Sequence, residues 1–304
     1  MATELTMGVY PAAVTPFDES GAVDSASLAR LVTYFDAAGC SGVVLAGTNG
    51  EGPSLSTFEK RDLVRTVQKV RNRLKVILGV ATSSLTEAVW QANQAQKDGA
   101  DAVLLMPPMY FRSASESGIL RWLKEVVDST SIPILIYNYP KMTGTTLSLA
   151  AIEELARHPR IVGFKDSSGD AHNLRNYRSR VSDDKVLFVG DETLLLQALE
   201  AGWTGTISGA ANLVPQWLSR VMSHWHATDQ AETRAAYQLI SPVLSYIRSC
   251  PQPPANKHVL QQWGVIGTAQ PRLPLEQFDA SDLALKLKQD LGLGEGNLGI
   301  RADV

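Results

Sequence analysis

Cysteine is scarce in this chain, and the sequence shows no secretion signal or membrane segment. The two cysteines, Cys40 and Cys250, are too few and too isolated for a disulfide framework or a cysteine-rich zinc site. The N-terminus lacks a basic segment followed by an apolar one, and no stretch approaches the roughly 18 apolar residues of a membrane helix. We therefore expect a cytoplasmic protein without a bound metal.

Positive charge is not in excess either. The 304 residues contain 28 Lys and Arg against 31 Asp and Glu, so the formal net charge is -3. Neither nucleic acid nor an anionic membrane is therefore an expected partner, because both attract clusters of Lys and Arg. Hydrophobic residues make up 44% of the chain, which is enough for a substantial core. These figures favour a globular protein that acts on small molecules.

Nucleotide-binding glycine motifs are also missing, since no G-x-G-x-x-G follows the first apolar run. What the chain does contain is a regular alternation of short apolar runs and segments of helical periodicity. The candidate strands are 9–14, 43–46, 75–80, 102–106, 133–138, 161–165, 185–190 and 205–208. The candidate helices are 24–38, 56–70, 84–98, 115–128, 147–157, 171–181 and 192–200.

Eight strands that alternate with helices must pair in parallel, which favours a closed (β/α)8 TIM barrel over an open doubly wound sheet. Beyond about residue 212 the pattern is purely helical, and "CPQPPANKH" at 250–258 interrupts it because proline breaks helices. We therefore predict an α/β fold with a catalytic (β/α)8 barrel over residues 1–225 and a C-terminal helical extension over residues 226–304.

Two reactive side chains end neighbouring candidate strands. Lys165 ends the sixth strand and Tyr137 lies near the end of the fifth, at the barrel face that carries catalytic residues. A lysine at this place can form an imine with a carbonyl compound if burial, here by Ile161, Phe164 and the barrel interior, favours its neutral amine. The alternatives are a lysine that reaches solvent and a tyrosine that only packs the interior.

The loop "GTNGEG" follows the second candidate strand and begins at Gly47. Its three glycines permit close approach of the backbone, and Thr48 and Asn49 add hydroxyl and amide groups to the main-chain donors. The loop lacks the lysine of a phosphate-binding P-loop. We expect it to bind a carboxylate.

Four motifs in order make the chain similar to a known family: "GTNGE" at 47–51, "YNYP" at 137–140, "GFKD" at 163–166 and "VGDE" at 189–192. Over about residues 8–285 the sequence resembles the pyruvate-dependent class I aldolases that include dihydrodipicolinate synthase and N-acetylneuraminate lyase. The resemblance implies that Lys165 forms a Schiff base with pyruvate or a 2-keto acid without any cofactor. It also implies that Tyr137 transfers protons and that Thr48 and Asn49 bind the pyruvyl carboxylate.

The resemblance also implies an assembly. Tyr110 matches a tyrosine that crosses a tight dimer interface and completes a hydroxyl relay with Tyr137 and Thr48, although its surroundings, "PPMYF", depart from the tyrosine pair usual there. We therefore expect a homodimer or homotetramer, with a keto acid and an aldehyde as small-molecule partners. The further substrate-binding residues that we expect are Gly47, Met142, Gly190 and Ile207.

Met142 bears on the substrate, because dihydrodipicolinate synthases carry there an arginine that holds the carboxylate of aspartate semialdehyde. A thioether cannot pair with a carboxylate. The sequence therefore ranks reversible cleavage of a 2-keto-3-deoxy sugar acid to pyruvate and an aldehyde first, in keeping with the "GPSLS" and "YNYP" segments. The alternatives are 4-hydroxy-2-oxoglutarate aldolase, which Asn49 suggests, dihydrodipicolinate synthase, dehydration or decarboxylation through the same imine, and a non-catalytic protein that binds keto acids.

Overall fold

The computed structural model describes residues 5–298, and in this range eight parallel strands form one sheet that curves into a barrel. The strands are β1 Gly8–Pro11, β2 Gly42–Leu45, β3 Lys75–Val80, β4 Ala102–Leu105, β5 Ile134–Asn138, β6 Ile161–Asp166, β7 Val186–Val189 and β8 Gly205–Ser208. Their order around the sheet is β1-β8-β7-β6-β5-β4-β3-β2, and a parallel bridge between Ala12 and Val44 joins β1 to β2. The predicted (β/α)8 TIM barrel is therefore confirmed.

Helices surround the barrel and continue beyond it. Those that follow the strands are α1 Ser25–Ala37, α2 Thr57–Val70, α3 Leu85–Lys97, α4 Glu116–Asp128, α5 Pro140–Thr143, α6 Leu149–Ala156, α7 His172–Arg178, α8 Leu195–Glu200 and α9 Pro215–His226. Those of the extension are α10 Gln230–Ser249, α11 Gln252–Gln262 and α12 Ser281–Leu291. No helix within residues 5–298 combines the length and the apolar character needed to cross a membrane.

The helices begin where short polar side chains cap them. Asp24, Ser56, Ser84 and Ser115 each accept a hydrogen bond from a backbone N–H of the first turn of α1, α2, α3 and α4, respectively. The interruption expected within 250–258 spans only two residues, because the next two prolines lie in the first turn of α11. Proline is tolerated there, since its missing N–H would have no partner within the helix.

The strands separate two layers of buried side chains. One layer fills the barrel interior and the other lies between strands and helices, because successive strand residues point to opposite faces. Ile161 and Phe164 belong to the outer layer, where the ring of Phe164 lies 6.2 Å from that of Tyr177. The expectation that these two residues desolvate Lys165 is therefore wrong. In the strand register, the neighbours of Lys165 are Tyr137 and Phe188.

Candidate active site

Lys165 and Tyr137 lie side by side at the carboxyl ends of β6 and β5. Their Cα atoms are paired in the sheet register, and the lysine Nζ lies 4.1 Å from the centroid of the tyrosine ring. Lys165 is 5% exposed and Tyr137 is 1% exposed. Registered residues on adjacent strands point to the same face, so the pairing follows from the barrel itself. The structure thus brings together a buried primary amine and a phenol.

Ser167 joins this pair, although the sequence analysis did not select it. Its Oγ donates a hydrogen bond to the Tyr137 Oη across 3.3 Å, and the residue is buried. Ser167 comes two positions after Lys165, so the two-residue period of an extended chain would have placed both side chains on one face. Tyr139 adds a second phenol, whose ring centroid lies 5.7 Å from that of Tyr137. Burial raises the pKa of Tyr139.

A cavity of about 630 Å³ opens above the amine at the carboxyl ends of the strands. The predicted site residues that line it are Thr48, Asn49, Tyr137, Met142, Lys165, Gly190 and Ile207. The cavity is large enough for a keto acid joined to a short aldehyde chain, since ligand pockets commonly measure about 300 to 1,000 Å³. The barrel mouth therefore holds the reactive pair and the expected carboxylate-binding loop in one space.

Gly190 keeps the space beside the lysine open. A Cβ atom added to Gly190 would lie 2.9 Å from the Cε atom of Lys165 and 1.8 Å from the Oγ atom of Ser167. Both distances are shorter than packed heavy atoms allow. A side chain at this position would therefore displace the amine or the hydroxyl from the cavity.

The loop after β2 has an unusual backbone that fixes Thr48 and Asn49 at the cavity. Ala46, just before the loop, and Glu51, within it, have φ angles of 52° and 53°, a left-handed conformation that is uncommon without glycine. Gly47 is buried and does not line the cavity, and its carbonyl accepts a hydrogen bond from the Gly52 N–H at 3.0 Å. Gly47 therefore shapes the loop, whereas its two successors line the cavity.

Tyr110 and Met142 lie farther from the amine. Tyr110 is 80% exposed, does not line the cavity, and packs edge-on against Phe111 with ring centroids 5.3 Å apart. Its expected role concerns a partner subunit, so this role stays a prediction. Met142 lies in α5 at the rim of the cavity and is 51% exposed.

The C-terminal extension supplies part of the cavity wall, which the sequence analysis missed. Arg248, in the last turn of α10, lines the cavity and contacts Asp191 and Glu192 after β7, with N···O distances of 2.9 and 3.3 Å. In α11, the Asn256 side-chain amide donates a hydrogen bond to Asn49 Oδ1 at 3.3 Å. These partners are separated by between 56 and 207 positions, so no local pattern indicates them. Within residues 5–298, no three His, Cys, Asp or Glu side chains are grouped to bind a metal ion.

Known proteins are similar to this chain in sequence and fold over nearly its whole length. Residues 5–291 match the model of the Dihydrodipicolinate synthetase family. The 4-hydroxy-tetrahydrodipicolinate synthase of Pseudoalteromonas atlantica is 34% identical, over 88% of this chain and 92% of that protein. Two solved structures are similar as well. The dihydrodipicolinate synthase of Thermotoga maritima superposes with a TM-score of 0.90 at 26% identity, covering 95% of this chain and all of that one.

The second solved structure is a prophage protein of Escherichia coli K12, YagE, of the dihydrodipicolinic acid synthase family in complex with pyruvate. It superposes with a TM-score of 0.89 at 25% identity and covers 94% of this chain and 99% of that one. The family match and the 34% identity each extend over most of the chain. The chain therefore belongs to the dihydrodipicolinate synthetase family and is a lyase of the pyruvate-dependent class I aldolase type.

Proposed function

We propose that this enzyme holds pyruvate as an imine on Lys165 and joins it to aspartate semialdehyde, as a 4-hydroxy-tetrahydrodipicolinate synthase does. The observation that carries the imine chemistry is the registered pair of Lys165 and Tyr137 at the base of the cavity. The choice of aldehyde is supported by the name of the Pseudoalteromonas atlantica relative, and by the cations of Lys141 and Arg248 on the cavity wall.

In the proposed reaction, the Lys165 Nζ attacks the keto carbon of pyruvate and water leaves. The imine then loses a proton from the methyl carbon, and the resulting enamine carbon attacks the aldehyde carbon. Tyr137 carries protons in these steps, because its hydroxyl accepts a hydrogen bond from Ser167 and so keeps its own proton available for donation. Thr48 and Asn49 hold the pyruvyl carboxylate. The amino group of the semialdehyde part then attacks the imine carbon, so that the ring closes and the lysine amine leaves.

A second candidate is the reversible cleavage of a 2-keto-3-deoxy sugar acid, which the sequence ranks first. Met142 favours it, because the rim position that carries an arginine in the synthases presents an uncharged side chain. A substrate with a neutral polyol tail would lose no binding energy when methionine stands in place of this arginine. The two candidates share the lysine imine and differ only in the aldehyde.

The assembly of this enzyme is a further part of the proposal. We propose a dimer or a dimer of dimers, in which Tyr110 reaches the cavity of a partner subunit. The 80% exposure of Tyr110 and the 64% exposure of Phe111 support this, because two neighbouring aromatic side chains gain from burial at an interface. Light scattering of Tyr110→Ala and of the wild type would test the assembly, and a monomeric wild type would contradict it.

Two measurements test the reaction. Incubation with pyruvate and borohydride should leave a reduced adduct on Lys165, located by peptide mass spectrometry, while the buried Lys60 and Lys257 stay unmodified. The kcat/KM values for pyruvate with aspartate semialdehyde, for 2-keto-3-deoxygluconate and for 4-hydroxy-2-oxoglutarate should then be compared on one preparation. An adduct on another lysine would refute the mechanism. A clear preference for the sugar acid would replace the first candidate by the second.

A further inference from the structure

Arg248 extends from the C-terminal extension into the wall of the cavity that holds Lys165. Its guanidinium makes two ion pairs, from Nη2 to Asp191 Oδ2 at 2.9 Å and from Nη1 to Glu192 Oε2 at 3.3 Å. A guanidinium carries five N–H donors. Two are used in these contacts within the described part of the chain, so the remaining donors of this cavity residue are available to a ligand.

The two carboxylates hold this guanidinium in a fixed orientation. Glu192 is fully buried, and its Oε1 accepts a hydrogen bond from the Ala210 N–H at 2.9 Å. Asp191 is also buried, and its Oδ1 accepts hydrogen bonds from the backbone and hydroxyl of Thr193. Because its acceptors cannot move freely, Arg248 loses little rotamer entropy when it binds a ligand. The guanidinium is therefore preorganised to bind a planar anion such as a carboxylate.

The other residues at the rim are less suited to this task. Met142 has no charge, and Lys141 lies on the exposed side of the short helix α5. An exposed lysine is a mobile, strongly hydrated point charge, whereas an arginine matches both oxygens of a carboxylate. Arg248 is itself an exposed residue, with 32% of its side chain accessible, and it differs from Lys141 in that two ion pairs orient its guanidinium at the cavity.

We propose that Arg248 determines specificity by pairing with the carboxylate of the aldehyde substrate, in place of the arginine that position 142 lacks. The inference rests on the proposed imine at Lys165 and deepens it, because it names the residue that recognises the far carboxylate of the aldehyde. The recognising group comes from the C-terminal extension, outside the barrel, so the extension acts in substrate selection as well as in packing.

The test compares three aldehydes in condensation with pyruvate: aspartate semialdehyde and succinate semialdehyde, which carry a carboxylate at the same distance from the aldehyde carbon, and glyceraldehyde, which carries none. Arg248→Met should lower kcat/KM for the two charged aldehydes by about tenfold to a hundredfold, mainly through KM. The value for glyceraldehyde should change by less than about threefold, and trapping of pyruvate by borohydride should be unchanged. Arg248→Lys should recover part of the loss, because it restores charge without the planar fork.

Arg234→Met is the matched control. Arg234 lies on the same helix and forms an ion pair with Glu200, but it does not line the cavity. We expect this variant to keep the wild-type values for all three aldehydes. An equal loss for all three in Arg248→Met would show that Arg248 only clamps α10 to the barrel, and an unchanged value for the charged aldehydes would show that it does not bind them. Either outcome would overturn the proposal.

A double variant separates attraction by Arg248 from repulsion by the carboxylates that its removal uncovers. In Arg248→Met with Asp191→Asn, the loss for charged aldehydes should persist if the arginine binds them directly. Full recovery would overturn the proposal, because repulsion would then explain the single variant.

The wild type distinguishes this inference from the proposed reaction. If it rejects aspartate semialdehyde but uses succinate semialdehyde through Arg248, the proposed reaction fails and the role of Arg248 is supported. If it uses only glyceraldehyde, both fail.

Discussion

Lys165 and Lys257 are two buried lysines in one molecule, and the amine of each lies 4.1 Å from the centroid of an aromatic ring. Lys257 is fully buried against Phe17, forms an ion pair with Glu51 and donates a hydrogen bond to the Gln270 carbonyl at 3.0 Å. Lys165 has no carboxylate partner among residues 5–298, and it faces the cavity. Two buried lysines therefore have different surroundings.

The pKa of Lys257 shows why burial alone does not identify a nucleophile. Burial lowers it to about 8, and the charge of Glu51 opposes this shift. Burial also lowers the pKa of Lys60, so a search for lysines with a depressed pKa would select Lys60 and Lys257, and neither lines the cavity. A nucleophile needs access to its substrate as well as a neutral amine. Lys257 instead fixes Glu51, which ends the "GTNGE" segment, and so supports the loop that carries Thr48.

Replacing the two lysines by methionine should separate these roles, and the largest effect concerns Lys165. Lys165→Met should abolish the borohydride adduct and lower turnover by roughly 10⁴-fold or more, because no imine can form. Its free energy of unfolding should stay equal or rise, since a buried amine without an acidic partner is removed. A variant that keeps the adduct would place the nucleophile elsewhere.

Tyr137→Phe, next to Lys165, should separate the capture of pyruvate as an imine from the later turnover. The change removes only the hydroxyl, so the ring against the lysine and the adduct with pyruvate should remain. Proton transfer should slow by about 10²- to 10⁴-fold, as for the loss of a general acid or base. Single-turnover kinetics with borohydride trapping would measure both steps. Unchanged kcat would reduce Tyr137 to a packing role.

Lys257→Met should have the opposite effects to Lys165→Met: a loss of stability with the adduct retained. It leaves Glu51 buried without its cation, which typically costs roughly 3–5 kcal/mol of stability, while the adduct on Lys165 should still form. Denaturant unfolding would measure the loss. Adding Glu51→Gln should recover most of it, because the uncompensated charge is then gone. Lys286→Met is the control, since its ion pair with Asp290 is exposed and should contribute at most about 1 kcal/mol.

If Lys257→Met were as stable as the control, the ion pair with Glu51 would contribute little. If it also lost the adduct, the two lysines would be coupled through the loop that joins Glu51 to Thr48, and the division into a chemical and a structural lysine would not hold.

The comparison also shows what the sequence could and could not predict. The barrel and the positions of Lys165 and Tyr137 follow from local rules: apolar runs become strands, and strand ends meet at one mouth. Alternation of strand faces would have separated Phe164 from Lys165, whereas Ile161 reaches the outer layer only because the register with β5 shifts between Ile161 and Gly163, which no local pattern shows. The same alternation would have found Ser167.

Lys257 and Arg248 could not be found in this way. Both lie in helices of the extension, in segments whose polar residues are also typical of an exposed helix face. Their partners, Glu51 and Glu192, follow strands far away in the chain. Only the docking of the extension on the barrel brings these charges together, so their roles depend on tertiary contacts that no local pattern contains.

The smallest expected effect lies beside Lys257, where the guanidinium carbon of Arg272 is 4.4 Å from the centroid of the same Phe17 ring and Arg272 pairs with Glu59. The hydrogen bond from Arg272 lowers the pKa of Glu59 from 4.5 to about 2. A carboxyl whose pKa is lower in the folded state stabilises the fold above its unfolded value, and this contribution is lost as the pH falls through the folded value.

Glu59→Gln should therefore cost about 1 kcal/mol at pH 7, after allowance for solvent screening of a pair whose side chains are 21% and 27% exposed. The difference from the wild type should shrink as the pH is lowered from 5, and at pH 3 it should be less than about half of its neutral value. Urea unfolding of both proteins over this range would measure it. A difference in stability that does not depend on pH would mean that Glu59 acts through packing and its contact with Ser56. A loss of stability as large as that of Lys257→Met would mean that the partly exposed pair of Arg272 and Glu59 contributes as much as the buried pair of Lys257 and Glu51.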